Sequence, residues 1–222
     1  MKKTNLFCLV AKTGAGKSKY LNQLTKNTDF LNKNNLSLLV TGTTRSKREN
    51  EVDGVDYHYC TREEYENTPE KDLVEFRSYY TLNNGEVFYF TKTDYIKSDK
   101  NIICIASPYQ YESYRNWCNL EKLKNNINID IYMILISSDI KVRIERLMER
   151  AKNDDDVYEM CRRIVQERHE FEDVSKRLPE LIDPMLANNV CYINNTCNGE
   201  IVIKNNLEKI KNYIHGCIER SI

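Results

Sequence analysis

Residues 11–18 read Ala11-Lys12-Thr13-Gly14-Ala15-Gly16-Lys17-Ser18 and stand between a short apolar run and a helical pattern. The apolar run, Asn5–Val10, predicts a buried strand, and apolar side chains recur at helical spacing over 18–26. In such a loop the backbone N–H groups turn inward, and the helix N-terminus adds a partial positive charge. Two of the chain's 7 glycines fall inside the loop. We therefore predict that all eight loop residues surround the phosphates of a nucleotide.

Two side chains of this phosphate loop have predicted roles of their own. Lys17 is expected to reach the β- and γ-phosphates, and the Ser18 hydroxyl is expected to ligate Mg²⁺. The full loop pattern begins with glycine, whereas this chain has Ala11 there. If that position needs a positive φ, alanine costs on the order of 1 kcal/mol. The alternative interpretation is a fortuitous turn that carries a surface lysine.

Further apolar runs alternate with helical patterns along the chain. Continuous apolar runs are typical of strands in a parallel sheet that is covered on both faces, and the alternation predicts an α/β fold. The expected architecture is a P-loop NTPase-type parallel sheet with flanking helices. Its further strands are expected at Leu36–Val40, Ile102–Ala106, Ile129–Ile136 and Val190–Ile193, and its further helices at Pro108–Asn125, Ser138–Ala151 and Glu200–Arg220.

Two segments interrupt this alternation. Residues 41–93 have short alternating pieces such as Val55–Tyr59, and the pairs Asp53-Gly54 and Asn84-Gly85 favour tight hairpin turns. They predict a small β-rich insert. Within residues 138–177, the polar stretch Lys152–Asp156 lies between helical patterns and predicts the tip of a mobile helical lid. The core is then expected to comprise residues 1–40, 94–137 and 178–222.

The composition argues against several classes of protein. The 222 residues include 33 Lys plus Arg and 33 Asp plus Glu, for a formal net charge of +0. A bulk electrostatic attraction to nucleic acid or to an anionic membrane is therefore not expected, and no apolar run approaches the roughly 20 residues of a membrane span. The 8 cysteines include no Cys-x-x-Cys pair. This pattern predicts buried free thiols in a cytoplasmic protein rather than disulfides or a zinc site.

Residues 41–59 carry a more specific signal. They read Thr-Gly-Thr-Thr-Arg-Ser-Lys-Arg-Glu-Asn-Glu-Val-Asp-Gly-Val-Asp-Tyr-His-Tyr. This run, together with the phosphate loop, resembles the guanylate kinase family, whose monophosphate-binding domain opens with Thr-Thr-Arg…Arg…Glu-Val-Asp-Gly-x-Asp-Tyr. The similarity is good from the N-terminus to about Glu75, looser to Thr91 and through 138–171, and faint near the C-terminus. The resemblance implies that the insert binds GMP and that the loop binds ATP with Mg²⁺.

The resemblance also implies which residues bind the acceptor nucleotide. Arg45 and Arg48 would bind its phosphate, which suits the forked donors of guanidinium groups, and Tyr57 would add a neutral donor. Glu75 would accept hydrogen bonds from guanine N1–H and N2–H. The remaining implied ligands are Thr41 near the base, Tyr89 and Thr91.

The residues alone leave simpler interpretations open. Arg45 and Arg48 are also consistent with loop cations paired to Glu49 or Glu51. Glu75 is also consistent with an ordinary exposed position on a strand.

The lid segment supplies further catalytic candidates. Arg143, Arg146 and Arg150 are spaced three and four apart, so one helix face would carry all three. Charge on one face is also typical of a solvated helix. The resemblance implies that Arg146, Arg150 and Arg163 close over the donor phosphates. The predicted catalytic set is Lys17, Arg45, Arg146, Arg150 and Arg163.

One stretch departs from the family pattern. The family usually has acidic residues after the strand that follows its small domain, whereas residues 105–110 read Ile-Ala-Ser-Pro-Tyr-Gln. Ser107 can accept one hydrogen bond but supplies no charge, so selectivity for the base is expected to be weaker. Mg²⁺ would depend on Ser18, phosphates and water.

The leading prediction is an ATP-dependent guanylate kinase that converts GMP or dGMP to the diphosphate and ATP to ADP. One alternative keeps the fold and phosphorylates another nucleoside monophosphate or a phosphorylated ribose. The other alternative is a non-catalytic guanylate kinase-like interaction module. The oligomeric state is left open.

Overall fold

The computed structural model describes residues 3–81, 85–96, 99–125, 128–181, 189–197 and 199–221. In chain order the strands are β1 (Thr4–Ala11), β2 (Leu36–Leu38), β3 (Gly42–Thr43), β4 (His58–Tyr59), β5 (Leu73–Thr81), β6 (Gly85–Lys92), β7 (Asn101–Ala106), β8 (Ile129–Ser137) and β9 (Val190–Asn194). The helices are α1 (Lys17–Thr25), α2 (Thr28–Lys33), α3 (Arg62–Glu66), α4 (Thr93–Ile96), α5 (Pro108–Asn125), α6 (Ile140–Met148), α7 (Asp154–Ser175) and α8 (Glu200–Glu219).

The central sheet is parallel and has five strands in the order β2-β7-β1-β8-β9. All eight residues of β1 are buried, which explains why this strand is a continuous apolar run. Alternate residues of a strand point to opposite faces. Leu6 and Val10 accordingly pack in one apolar cluster and Phe7 and Leu9 in the other. The predicted α/β class is confirmed, and the phosphate loop leaves the carboxyl end of the central strand.

The predicted core elements are present, with shifts at their ends. Helix α5 has the predicted bounds, whereas β2 ends two residues earlier than expected, at Leu38. The helix expected over 138–151 is shorter, because α6 ends at Met148. The predicted lid tip is also shorter, because Asp154 already begins α7. Carboxylates in a first turn interact favourably with the helix dipole, and Asn153 caps this helix by accepting from the N–H of Asp156.

The insert forms a second sheet in the order β4-β3-β6-β5. Gly54 has a φ of +73°, but the bridge between Asp53 and Tyr57 is parallel, so the hairpin predicted at residues 53–54 is not formed. Asn84 lies outside the described residues. The alternating run 55–59 yields only the two-residue strand β4. β5 and β6 pair antiparallel and place Glu75 opposite Thr91. This hairpin is the scaffold of the acceptor side of the site.

The cysteines are all free thiols. Cys8 and Cys104 are buried partners across β1 and β7, with their sulfur atoms 3.7 Å apart. Burial raises the pKa of the Cys8 thiol well above its usual value. Cys161 and Cys197 are exposed, so the expectation of burial is wrong for these two. Among the described residues, no group of three His, Cys, Asp or Glu side chains is placed to hold a metal ion.

No helix within the described ranges combines the length and the apolar character that crossing a membrane requires.

Candidate active site

The phosphate loop has a backbone that glycine adopts most readily. Gly14 has a φ of +79° and Gly16 a φ of +103°, both in the left-handed region. A Cβ on Gly14 would lie 2.7 Å from the carbonyl oxygen of Arg143, and one on Gly16 would lie 2.6 Å from the Asn195 side-chain nitrogen. Ala11 is the last residue of β1 and has no positive φ. The alanine at the first loop position therefore causes no backbone strain.

We expect Gly14→Ala to lower the free energy of unfolding by about 1–3 kcal/mol and to weaken nucleotide binding. The added methyl group would meet a backbone oxygen at a strained φ. Urea unfolding and titration with ATP measure the two effects. Gly216→Ala is the matched control, because a Cβ there meets nothing closer than 3.5 Å inside α8 and alanine favours a helix. Equal stability and affinity of Gly14→Ala and the unaltered protein would contradict this account of the loop.

Lys17 begins α1 directly behind the loop. Its ammonium donates to the carbonyl oxygen of Ala11. Burial lowers the pKa of Lys17 below the ordinary lysine value, while the charges of Glu167 and Glu170 oppose this effect. Ser18 follows as an exposed residue in the first turn of the same helix. A cation and a hydroxyl therefore lie where the sequence predicts them.

Two arginines of α6 are bound to the backbone of the phosphate loop. Arg143 is buried and donates to the carbonyl oxygen of Thr13 at 3.1 Å. Arg146 donates to the carbonyl oxygens of Gly14 at 3.3 Å and Asn195 at 2.9 Å. Because these contacts use carbonyl groups, they fix the shape of the loop and bring guanidinium charge to it.

Asn195 supports the loop from the other side. Its side-chain amide donates to the carbonyl oxygen of Ala15 at 2.8 Å and accepts from the Tyr20 hydroxyl at 2.9 Å. The side chain is only 3% exposed. Asn195 therefore holds the phosphate loop in place.

A carboxylate of α7 lies on the phosphate loop. Glu167 accepts from both the backbone N–H and the hydroxyl of Thr13, and it lies 3.6 Å from Arg143. Helix α7 is therefore docked on the loop in this structure. A bound phosphate and Glu167 would compete for the same backbone donor.

The other two lid arginines lie farther from the loop backbone. Arg150 is exposed beyond the end of α6, so the prediction that one helix face carries it with Arg143 and Arg146 is wrong. Arg163 is half exposed on α7 and pairs with Glu159 at 2.8 Å. Its positive charge nevertheless makes a minor contribution to lowering the pKa of Lys17.

Arg45 lies at the predicted phosphate end of the acceptor side. It is buried, its Nη2 lies 2.7 Å from Glu51 Oε1, and its Nε donates to the Tyr89 hydroxyl at 3.1 Å. This ion pair raises the pKa of Arg45 and lowers the pKa of Glu51 to about 2. The ion-pair interpretation of Arg45 is thus confirmed in this structure. Nη1 also donates to the carbonyl oxygen of Ser46 at 2.8 Å, so all three guanidinium nitrogens already donate. A bound phosphate would share or replace these contacts.

Other members of the predicted phosphate set surround this pair. Arg48 is largely exposed, with Nη1 4.0 Å from Glu51. The Tyr57 ring lies 5.6 Å from the Arg45 guanidinium carbon, and burial raises the pKa of Tyr57, which keeps its hydroxyl a donor. Tyr59, which the sequence analysis did not select, donates to Glu51 at 2.7 Å.

Glu75 lies at the predicted base end of the acceptor side. It is 7% exposed, which excludes an ordinary surface position on the strand. Its Oε1 accepts from Thr91 Oγ1 at 2.8 Å and from Gln110 Nε2 at 3.2 Å, and Thr91 Oγ1 also lies 3.0 Å from the Tyr114 hydroxyl. The predicted pair Glu75 and Thr91 is therefore in contact. Thr41 precedes β3, and its carbonyl oxygen accepts from the N–H of His58.

Gln110 is a functional candidate that the sequence analysis missed. It lies in the first turn of α5, where its Oε1 accepts from the N–H of Ser107 and its own N–H donates to Ser107 Oγ. This reciprocal arrangement is a capping box, for which Ser-x-x-Gln before a helix is the sequence signal. Because Oε1 serves the cap, the amide NH₂ is directed at Glu75. The Ser107 hydroxyl oxygen accepts one hydrogen bond within this cap.

Comparison with known proteins finds similarity to one group of enzymes. Residues 3–105 match the family model described as guanylate kinase. The guanylate kinase of Rickettsia prowazekii (strain Madrid E) is 23% identical over 200 residues, which span 84% of this chain and 94% of that protein. The guanylate kinase of Bartonella henselae is 25% identical over 218 residues, which span 98% and 90%. The chain is similar to these guanylate kinases over most of its length. The guanylate kinase of Blochmanniella floridana is 31% identical over 148 residues, which span 66% of this chain and 64% of that protein.

This similarity gives the departure of residues 105–110 from the family pattern a structural interpretation. This chain has an amide, Gln110, against Glu75, within the stretch where the resemblance led us to expect carboxylates. A carboxylate beside Glu75 would repel it, whereas an amide N–H donates to it. The Oε1 atom of Glu75 is therefore bound by two neutral donors, Thr91 and Gln110.

Proposed function

We propose that this protein is an ATP-dependent guanylate kinase that transfers the γ-phosphoryl group of ATP to GMP or dGMP. The observation that supports this most is the order of groups on one face of the insert. Glu75 contacts Thr91, and Tyr89, two residues earlier on β6 and therefore on the same face, contacts Arg45. Two neighbouring side chains of β6 thus contact the carboxylate proposed for the base and the guanidinium proposed for the phosphate.

The proposed reaction divides between the two ends of the site. Lys17 and the loop N–H groups hold the phosphates of ATP, while Arg45, Arg48 and Tyr57 hold the phosphate of GMP. An oxygen of that phosphate attacks the γ-phosphorus, the bond to the β-phosphate oxygen breaks, and ADP leaves. A monophosphate is ionised at neutral pH, so no general base is needed. Positioning and charge neutralisation carry most of the catalysis in such transfers.

The lid arginines have a proposed role in charge stabilisation. Arg146 already lies at the loop, whereas Arg150 and Arg163 would reach the phosphates only if the lid segment moved. Closure of a lid around a transferring phosphoryl group also excludes water. The docked Glu167 would leave Thr13 when the phosphates of ATP bind.

Mg²⁺ would be held by Ser18 together with phosphate oxygens and water. The Ser18 hydroxyl is exposed at the N-terminus of α1, and Mg²⁺ commonly keeps several waters and few protein ligands. When bound, the ion would neutralise charge on the β- and γ-phosphates. The buried thiols suit a reducing cytoplasm as the location, and the proposed partners are ATP and GMP rather than nucleic acid or a membrane.

A panel of acceptors tests the proposal. We expect ADP release from ATP with Mg²⁺ to be fastest with GMP and dGMP, because Glu75 accepts from guanine N1–H and N2–H, whereas adenine offers it a lone pair. AMP, CMP, UMP and ribose phosphates are assayed in parallel. Turnover of another acceptor in preference to GMP would overturn the assignment of the base and favour the alternative acceptor. Binding of GMP without turnover would favour the interaction module, against which Lys17 and Ser18 already argue.

A further inference from the structure

Arg77 lies between the two ends of the acceptor side and has no role in the reaction as described so far. It is two residues after Glu75 on β5 and directly opposite Tyr89 on β6, so all three side chains share one face of the sheet. Its guanidinium carbon lies 5.8 Å from the centre of the Tyr89 ring. The charge of Arg77 also acts on Tyr57 and Tyr79, where it opposes the burial that raises their pKa values.

The guanidinium of Arg77 has a donor that is not used. Nη1 is buried and has no hydrogen-bond partner among the described residues. Glu75 Oε2 lies 3.8 Å from Nη1, which is beyond hydrogen-bond distance. A buried donor without a partner costs free energy that a bound acceptor atom would recover. The position of Nη1 therefore points to a ligand atom.

The other oxygen of Glu75 is already fixed. Oε1 accepts from Thr91 and from Gln110, and the capping box holds the Gln110 amide in that direction. The carboxylate is therefore presented in one orientation, with Oε2 beside Arg77. Glu75 Oε2 therefore offers acceptor lone pairs to a ligand, and the guanidinium of Arg77 offers a donor beside them.

This pattern complements two adjoining edges of guanine. Guanine presents N2–H and N1–H as donors, then O6 and N7 as acceptors, and arginine donating to O6 and N7 is a common specific contact. Adenine presents a lone pair at N1 and an amino group at position 6, so both side chains would oppose it. The paired contacts would supply selectivity for guanine without a second carboxylate.

We propose that Arg77 is a specificity-determining residue that donates to O6 and N7 of the guanine of the acceptor. This inference rests on the proposed function, because it assigns the contact to a bound GMP. Glu75 reads the N–H donors of the base, and Arg77 reads the acceptors beside them. The phosphate is left to Arg45, Arg48 and Tyr57.

The test compares GMP with 7-deaza-GMP, in which a C–H replaces N7, in the unaltered protein and in Arg77→Met. We expect the unaltered protein to prefer GMP by on the order of 10-fold in kcat/KM, and Arg77→Met to lose this preference while its kcat/KM for GMP falls on the order of 10- to 100-fold. If Arg77 only supported Glu75 or Tyr89, the preference for GMP over 7-deaza-GMP would be the same in both proteins. An unchanged ratio therefore overturns the inference.

Three controls keep the outcome interpretable. Arg62→Met removes an arginine that lies over Phe88, on the opposite face of the same sheet, and is expected to leave both rates unchanged. ATP binding and the melting temperature report whether Arg77→Met is folded. If it is not, Arg77→Lys replaces the fork with a single donor, and a ratio that does not fall in this variant also overturns the inference. Absence of GMP turnover in the unaltered protein would refute the proposed function, whereas GMP turnover with an unchanged ratio refutes only the role of Arg77.

Discussion

Replacing Lys17 with methionine is expected to reduce kcat for phosphoryl transfer from ATP to GMP by on the order of 10³-fold. Lys17 is the cation at the base of the phosphate loop, and its ammonium now donates to the carbonyl oxygen of Ala11. In the reaction its ammonium would stabilise the negative charge that develops between the β- and γ-phosphates. Methionine retains much of the apolar stem but lacks the charge. The substitution therefore removes electrostatic stabilisation of the transition state.

The experiment measures ADP release at saturating ATP and GMP, together with GMP affinity by titration. GMP affinity is expected to stay within about twofold, because the acceptor side is formed by the insert. Lys19→Met is the matched control, because Lys19 is exposed on the same helix and its substitution removes the same charge. A kcat for Lys17→Met within tenfold of the unaltered protein would contradict the assignment.

The fold was predictable from sequence because its signals are local. The run Asn5–Val10 and the helix over 108–125 follow from apolar pattern alone, and β1 and α5 occupy those positions. The sheet order was not predictable in this way, because it depends on which strands pair across the chain. The end of α6 at Met148 was also missed, since the arginine spacing continues past the point where the helix stops.

The candidate site was predictable where a motif fixes both the residue type and its spacing. Arg45, Tyr89, Glu75 and Thr91 were named from such motifs, and the structure joins them in pairs. The contact between Gln110 and Glu75 spans 35 residues, and that between Asn195 and the loop spans 180. Contacts of this length belong to the tertiary packing, and no local pattern encodes them. Of these contacts, only the capping box around Gln110 has a signal in the sequence, the Ser-x-x-Gln pattern before α5.

Replacing Glu75 with glutamine is expected to reduce kcat/KM for GMP by on the order of 10³-fold, while kcat/KM for AMP does not fall. Gln110 donates to Oε1, so the new amide must keep its oxygen on that side. Its NH₂ group then replaces Oε2 and faces the base. Guanine N1–H and N2–H would meet a donor, whereas the N1 lone pair of adenine would meet a suitable partner.

The geometry therefore predicts a change of preference rather than a general loss of activity. Rates with GMP and AMP are measured for Glu75→Gln and for Glu66→Gln, a control that removes an exposed carboxylate of the same insert. An equal fall in the rates of Glu75→Gln with both acceptors would indicate that the insert has lost its structure. An unchanged rate with GMP would mean that the base binds away from Glu75. The decisive result is a rise in the ratio of kcat/KM for AMP to kcat/KM for GMP. It would mean that Oε2 of Glu75, whose orientation is fixed through Gln110 in the cap of α5, decides which purine nucleotide this site phosphorylates.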